Sequence, residues 1–363
     1  MAIGKDLPAV KILVISLAGI GDTLLATPFI RELRENFPQA TIDVLVKEAG
    51  AKDFLERNPS VNRVFQRDLM KCSTLERLSF CWSLRRERYQ LSVNTHPQSR
   101  IHYRIAAWLA GAQVRISHEY ECFTWLDRWL VTASLPQDYT RHTIENNFDV
   151  LPLIGGAKKL PSHALEFILD PADERMADDF LLKHKLLGKK ILGIHVGSGG
   201  TKNLPLKRWP LKNYAGLVRQ LNKSRPDIHV LLFGGPEETK DHPVILAQAD
   251  LSLTLEARTK NLRETGALMK RCNAFLSVDT ALMHIGAALK VPNQIVIEAP
   301  TLNVTNWPYG NEFTLVKNPV VNGRNLDYYR YDGGDIKGTR EELIAAMESV
   351  KIADVYEAVT KLI

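Results

Sequence analysis

No stretch of this 363-residue chain approaches the ~18 consecutive apolar residues that a membrane-spanning helix needs, and no segment is of low complexity. Cysteine is scarce. Cys72, Cys81, Cys122 and Cys272 make no C-x-x-C pair and no metal-ligand spacing, which argues against a zinc module or a disulfide scaffold and for reduced thiols. The ten histidines form no H-E-x-x-H, and no D-x-D occurs, so the usual holders of catalytic zinc or of a diphosphate-bound magnesium ion are missing. Charge of one sign is lacking too. Residues 1–150 carry 19 Lys and Arg against 17 Asp and Glu, and residues 151–363 carry 28 against 24, for a net charge of +6. That is not the footprint of a nucleic-acid binder, although a mild basic excess suits anionic small substrates or a negatively charged membrane face. The opening "AVKILVISLAGIG" is interrupted by Lys11 and followed by Asp22 rather than a small-residue cleavage site. It reads as a buried strand, not a secretion signal, and a cytoplasmic location is expected.

What is present is rhythm. "VKILVIS" (10–16) is a continuous apolar run ended by glycine, as expected of a central parallel strand covered on both faces. "TLLATPFIRELRENFP" follows with apolar residues at helical spacing, and Pro28 is expected to kink it. "TIDVLV" (41–46) and "LSVNTH" (91–96) continue as strands. Near residue 190 the opening repeats: "KKILGIHVGSGG" echoes "VKILVISLAGIG", and "HVLLFGGPEE", "AFLSVDTALMHIGAAL" and "NQIVIEAPT" carry on the alternation. The reading is α/β, with two Rossmann-like doubly wound domains facing a central cleft. The expected limits are 1–165, 175–338, and a helical segment 339–363 opened by the capping box "TREE".

Ligands of open parallel sheets bind beyond the carboxyl ends of the strands. The glycine-rich and polar stretches fall at such ends: 19–22, 94–98, 197–201, 234–238, 279–284 and 299–301. "GIGDTL" lacks the third glycine of a dinucleotide fingerprint, and Asp43 lies inside its strand rather than at its end. "GSGGTK" is no Walker A loop but can form a nest of N–H groups for an anion. Without D-x-D, a departing diphosphate must be neutralised by helix N-termini and basic side chains. Asp279 and Thr280 stand at a strand-to-helix junction with His284 one turn on, and Lys202, Lys207 and Arg208 follow the nest.

With "GIGDTLLATPFIRELRENFPQATIDVLV", "KRWP", "GGPEE" and "VDTALMHIGAAL" in order, the chain resembles the ADP-heptose:lipopolysaccharide heptosyltransferase family, glycosyltransferase family 9, from about residue 10 to 310. The resemblance implies a GT-B fold, with the acceptor on the first domain, the nucleotide-sugar on the second, and a C-terminal helix that crosses back to the first. It implies inverting, metal-independent transfer of heptose from ADP-heptose to a lipopolysaccharide core or lipid-linked acceptor, with no cofactor and no nucleic-acid partner, and a peripheral contact with the inner membrane. Asp22 matches the family's proposed general base. Ser198, Thr201, Lys207, Glu238, Asp279, Thr280, Ala281 and His284 fall on its donor-binding positions, with Lys207 toward the diphosphate and Glu238 toward the ribose. Ala281 and Ala299 stand where the family has glycine, and Lys260 where it has an apolar adenine contact.

Each assignment has a plainer rival. Asp22 and Asp279–Thr280 could be helix caps, His284 a core histidine, and Lys207 a solvated surface lysine. Gly21, Asn94, His96 and Arg100, at strand ends of the first domain, are the candidates to meet an anionic acceptor. A related enzyme using another donor such as a UDP-hexose or acting on a non-lipopolysaccharide acceptor, a catalytically silent nucleotide-sugar binding protein, and a nicotinamide oxidoreductase stay open at this point.

Overall fold

The computed structural model describes residues 10–198, 204–300, 302–321 and 339–363. Two compact units divide at Ile168 and Leu169. The first contains β1 (Lys11–Ser16), α1 (Ile20–Leu25), α2 (Thr27–Asn36), β2 (Thr41–Val46), α3 (Ala49–Leu55), β3 (Arg63–Gln66), α4 (Thr74–Arg86), β4 (Leu91–Asn94), α5 (Ile101–Ala110), β5 (Val114–Glu119), α6 (Trp125–Leu130), β6 (Ala133–Pro136) and α7 (Thr143–Asp149). Its six strands are ordered β3-β2-β1-β4-β5-β6, and every neighbouring pair is parallel. Apart from Lys11, the residues of β1 are buried, because helices cover both faces of the sheet. The helical stretch after β1 breaks at Ala26, and Pro28 sits in the first turn of α2, where its missing N–H costs no hydrogen bond.

The second unit contains α8 (Pro171–Lys183), β7 (Lys190–His195), α9 (Leu211–Ser224), β8 (Ile228–Phe233), α10 (His242–Leu246), β9 (Thr254–Glu256), α11 (Leu262–Met269), β10 (Ala274–Ser277), α12 (Ala281–Ala288), β11 (Gln294–Ile297), β12 (Phe313–Val316), α13 (Arg340–Glu348) and α14 (Ile352–Leu362). Its sheet runs β12-β11-β10-β7-β8-β9, again all parallel. Read from the β9 edge, this is the strand order of the first sheet. The repeated sequence rhythm is therefore a repeated topology, and the reversal of strand order falls between β1 and β4 in one unit and between β7 and β10 in the other.

Each unit has its own core. In the first, Leu13, Ile15, Leu45, Leu84, Tyr89 and Ala107 pack together. In the second, Leu192, Ile194, Trp209, Tyr214, Val230 and Leu276 do so. Trp209 is fully buried there and donates from Nε1 to the Val350 carbonyl at 2.9 Å. The Thr339 capping box forms as read: Thr339 N–H donates to Glu342 at 2.8 Å, and Glu342 N–H donates back to the Thr339 hydroxyl at 3.1 Å. The terminal helices correct one expectation. They belong to the second unit, where Val355 and Val359 complete the second core. Their apolar faces announce packing, but nothing in them specifies which sheet is to be covered. Among the described residues, no helix is long and apolar enough to cross a membrane.

Candidate functional site

In this strand order, the carboxyl ends of the two strands flanking the reversal open a crevice. In the first unit these ends are the turn after β1 and the segment after β4. Gly19, extended at φ −73° and ψ 171°, is the N-cap of α1. Asp22 is the third helical residue, and its Oδ2 accepts the Gly19 N–H at 2.9 Å. The plain reading of Asp22 as the cap is thus corrected: glycine takes the cap, and the carboxylate answers it from the first turn. The turn is locked from below by buried Thr23, whose hydroxyl accepts from Ser16 Oγ at 3.0 Å and donates to the Gly19 carbonyl at 3.1 Å. Asp22 itself is half-buried. Its charge is felt at Tyr103, whose phenol is pushed up first by burial and then by Asp22.

The acceptor candidates divide. Gly21 and Arg100 are half-buried at this edge. Asn94 and His96 are withdrawn from solvent, each only 1% exposed. Asn94 Nδ2 donates to the Tyr103 carbonyl at 3.1 Å. His96 donates its backbone N–H to Asn147 Oδ1 at 2.7 Å, and its Nδ1 lies 3.2 Å from the Tyr120 hydroxyl. Burial holds the His96 imidazole well below its ordinary pKa, so it is neutral rather than a cation for an anionic ligand. A residue that sequence reasoning missed joins the two strand ends. Gln98 accepts the Leu17 N–H at 3.3 Å and donates to the carbonyls of Ile15 and Thr95. No motif marks it; only its place just after a strand hints at it.

In the second unit the corresponding ends are 196–198 and 278–281. Asp279, 6% exposed, accepts from Lys207 Nζ at 2.9 Å and from Asn306 Nδ2 at 3.2 Å. Lys207 is therefore not a solvated lysine: only 12% of its side chain is exposed, and its ammonium is aimed by a buried carboxylate. Thr280 caps α12, its hydroxyl accepting the Met283 N–H at 3.4 Å. The same hydroxyl lies 3.2 Å from Nδ1 of His195, whose pKa burial lowers to about 3. Ala281 opens α12 half-buried, and His284 is buried one turn along.

A second charged group lies beside this one. Arg208 donates to Ser198 Oγ at 3.3 Å and to Asp241 at 3.2 Å, and reaches Glu238 Oε1 at 3.5 Å. Glu238 Oε2 accepts the Gly235 N–H at 2.9 Å, which pins the "GGPEE" turn. Gly197 is required here, since a Cβ on it would stand 2.2 Å from Glu238 Oε1. The structure thus groups Ser198, Glu238, Lys207, Asp279 and Thr280 with His195, Arg208, Asp241 and Asn306. Of the last four, the sequence marked only Arg208, through "KRWP". Thr201, Lys202 and most of the expected anion nest lie outside the described residues. Lys260 is exposed, its backbone N–H donating to Glu264 at 2.8 Å.

Three comparisons bear on these edges. The model of glycosyltransferase family 9 (heptosyltransferase) matches residues 77–328. Lipopolysaccharide heptosyltransferase 3 of Escherichia coli is 26% identical over 354 residues, covering 94% of this chain and 96% of its own length. Among solved structures, a glycosyl transferase family 9 protein from Veillonella parvula superposes with a TM-score of 0.78 at 22% identity, over 100% of this chain and 99% of that one. The ADP-heptose lipopolysaccharide heptosyltransferase II of E. coli does so with a TM-score of 0.71 at 19% identity, over 97% and 98%.

Proposed function

The chain belongs to glycosyltransferase family 9, the heptosyltransferases, and on that premise we propose that it transfers heptose from ADP-heptose to a lipopolysaccharide core acceptor, with inversion and without a metal ion. One observation carries the donor half of this reading. Lys207 is held against Asp279, which also accepts from Asn306, beside the capped N-terminus of α12. A buried, oriented ammonium next to free helical N–H groups is the arrangement that neutralises a departing diphosphate. Relatives named for lipopolysaccharide heptosyl transfer, and a fold shared with an ADP-heptose enzyme, support the choice of donor and acceptor.

In this reading Asp22 takes the proton from the acceptor hydroxyl as its oxygen attacks the anomeric carbon. The bond to the diphosphate oxygen breaks, and its electrons leave with the ADP, whose charge is met by Lys207 and the α12 terminus. Asp279 orients Lys207 and bonds sugar hydroxyls; Glu238, set by Gly235 and Arg208, bonds the ribose. Ser198, Thr280, Ala281 and His284 complete the donor pocket together with Thr201. Gly21 and Arg100 remain on the acceptor side beside Asp22, while Asn94 and His96 support that edge from within. The reaction takes place at the cytoplasmic face of the inner membrane, where a lipid-linked acceptor is exposed.

The test is a nucleotide titration in EDTA followed by a transfer assay. ADP should raise the melting temperature, because a ligand bound only by the native state stabilises it. Heptose should then appear on the acceptor with inverted anomeric configuration. Tighter binding of UDP than of ADP, or binding abolished by EDTA, would overturn the assignment.

A further inference from the structure

Four of the six tryptophans, Trp82, Trp108, Trp125 and Trp129, lie on the outer helical layer of the first unit, and all four are exposed. In this layer α4 packs against α5 and α5 against α6. Right-handed crossovers toward β6 place all three helices on one face of the sheet. The apolar side chains on their outer surfaces keep helical spacing. Leu75, Leu78 and Trp82 line α4, Ile105 and Trp108 line α5, and Trp125, Leu126 and Trp129 line α6. The Trp108 and Trp129 rings touch, with centroids 5.5 Å apart, so the patch is continuous between helices. Leu75 and Trp125, 80% and 79% exposed, would not stand in water without a purpose.

Charge says what the face meets. Residues 70–132 carry nine Lys and Arg against five Asp and Glu, four of the chain's six net positive charges. Lys71, Arg85, Arg86, Arg88 and Arg128 are exposed on this layer. Four of the acids are already held by cations: Glu76 by Arg67, Glu87 by Lys11 and Arg63, Glu119 by Arg128, and Asp127 by Arg104. Indole rings and a cationic surround fit a bilayer interface with anionic headgroups. A second copy of the same face would set like charges against each other.

We infer that the α4–α6 face docks on an anionic lipid surface, with the tryptophans in the headgroup region and the basic side chains on the phosphates. Position gives this a use, and that part rests on the lipid-linked acceptor proposed above. A chain leaving a parallel strand enters the next helix at the strand's carboxyl end. Met70, Leu75, Trp125 and Leu126, at the starts of α4 and α6, therefore lie toward the same end of the sheet as Asp22. Contact through these helix starts turns the Asp22 end of the sheet toward the lipid, and Trp108 and Trp129, near the ends of α5 and α6, extend the contact away from it.

The experiment is co-sedimentation with phosphatidylethanolamine vesicles containing phosphatidylglycerol, and with phosphatidylcholine vesicles as the neutral control. The protein should bind the anionic vesicles and not the neutral ones. Trp125→Ser/Trp129→Ser and, separately, Lys71→Glu/Arg128→Glu should each reduce binding on the order of tenfold. ADP affinity, read by calorimetry, should be unchanged in both, which also shows that they fold. No binding to anionic vesicles, or full binding by both double variants, would overturn the inference. So would a tryptophan variant that turns a dimer into a monomer while keeping vesicle binding, since the face would then be a self-interface. Failure of ADP to bind the unaltered protein would count against the proposed function and leave the lipid result standing.

Discussion

The two six-stranded sheets share one strand order, yet the groups at their strand ends are used differently. After β1, the Asp22 carboxylate is set against the backbone N–H of Gly19 at the start of α1. After β10, the Asp279 carboxylate is clamped between Lys207 and Asn306. The coverings differ as well. The second unit draws α13 and α14 into its core through Met347, Val355 and Val359, whereas the first leaves its α4–α6 layer studded with exposed indoles. The same topology thus offers the same places, and the side chains decide what each place does. In the proposed reading, the fixed charge of the second unit meets an anion, and the carboxylate of the first belongs to the same unit as the face inferred to meet lipid.

The largest expected effect breaks this comparison on the first side. Asp22→Asn keeps an oxygen that can accept the Gly19 N–H, so α1 should survive. The amide cannot take a proton, and loss of a general base costs ~10²–10⁴ in rate. Turnover should fall by that much, with an unchanged circular dichroism spectrum. Turnover near the unaltered level would reduce Asp22 to an element of the turn.

Next in size is a paired glycine test. A Cβ at Gly197 would meet Glu238 Oε1 at 2.2 Å and Cγ at 2.4 Å, so Gly197→Ala must displace Glu238. A Cβ at Gly19 would meet Asp22 Oδ2 at 3.2 Å, which a small adjustment relieves. If Glu238 bonds the ribose, Gly197→Ala should weaken ADP by about tenfold, the worth of one charge-assisted hydrogen bond. Gly19→Ala should leave ADP affinity alone. Equal effects from the two substitutions would erase the distinction between the edges.

Acid should separate the units more gently. Burial pushes His102 and His118 of the first unit down to about 4, and His96 well below its ordinary 6.5. In the second unit, burial takes His195 down to about 3 and lowers His229. These imidazoles stay neutral when folded, while the unfolded chain takes up protons below ~6.5. Their contribution is therefore complete above pH ~6.5 and is lost as pH falls toward ~4. With three such groups against two, the first unit should lose more. Amide exchange at pH 5 against pH 7 should show protection falling further in β4 and β5 than in β7 and β8. The reverse order would show that other groups control acid stability.

Much of this was legible in the sequence because it is local. The repeat of "VKILVIS" in "KKILGIH" disclosed the second sheet, and "KRWP" marked Lys207 beside the core tryptophan. Other parts depend on partners that no local pattern names. Asn306 meets Asp279 across 27 residues. His195 reads as one more strand residue until Thr280 is seen beside it. In the sequence His96 and Asn94 read as strand-end ligands, but burial is settled by their partners, Tyr120 and Asn147 for His96 and Tyr103 for Asn94. The plainer rival reading places the N-cap at Asp22 because aspartate is favoured there. An acid in the first turn facing a glycine cap satisfies the same backbone groups, and the two patterns look alike in one dimension.

The division of labour between the sheets is tested most directly by ADP calorimetry on Asp22→Asn and Lys207→Ala side by side. Losing the Lys207 contact should cost roughly 1.5–3 kcal/mol, about a ten- to hundredfold weaker affinity. Asp22→Asn should bind ADP as the unaltered protein does, despite its lost turnover. Equal weakening in both variants, or ADP affinity lost only in Asp22→Asn, would contradict the account.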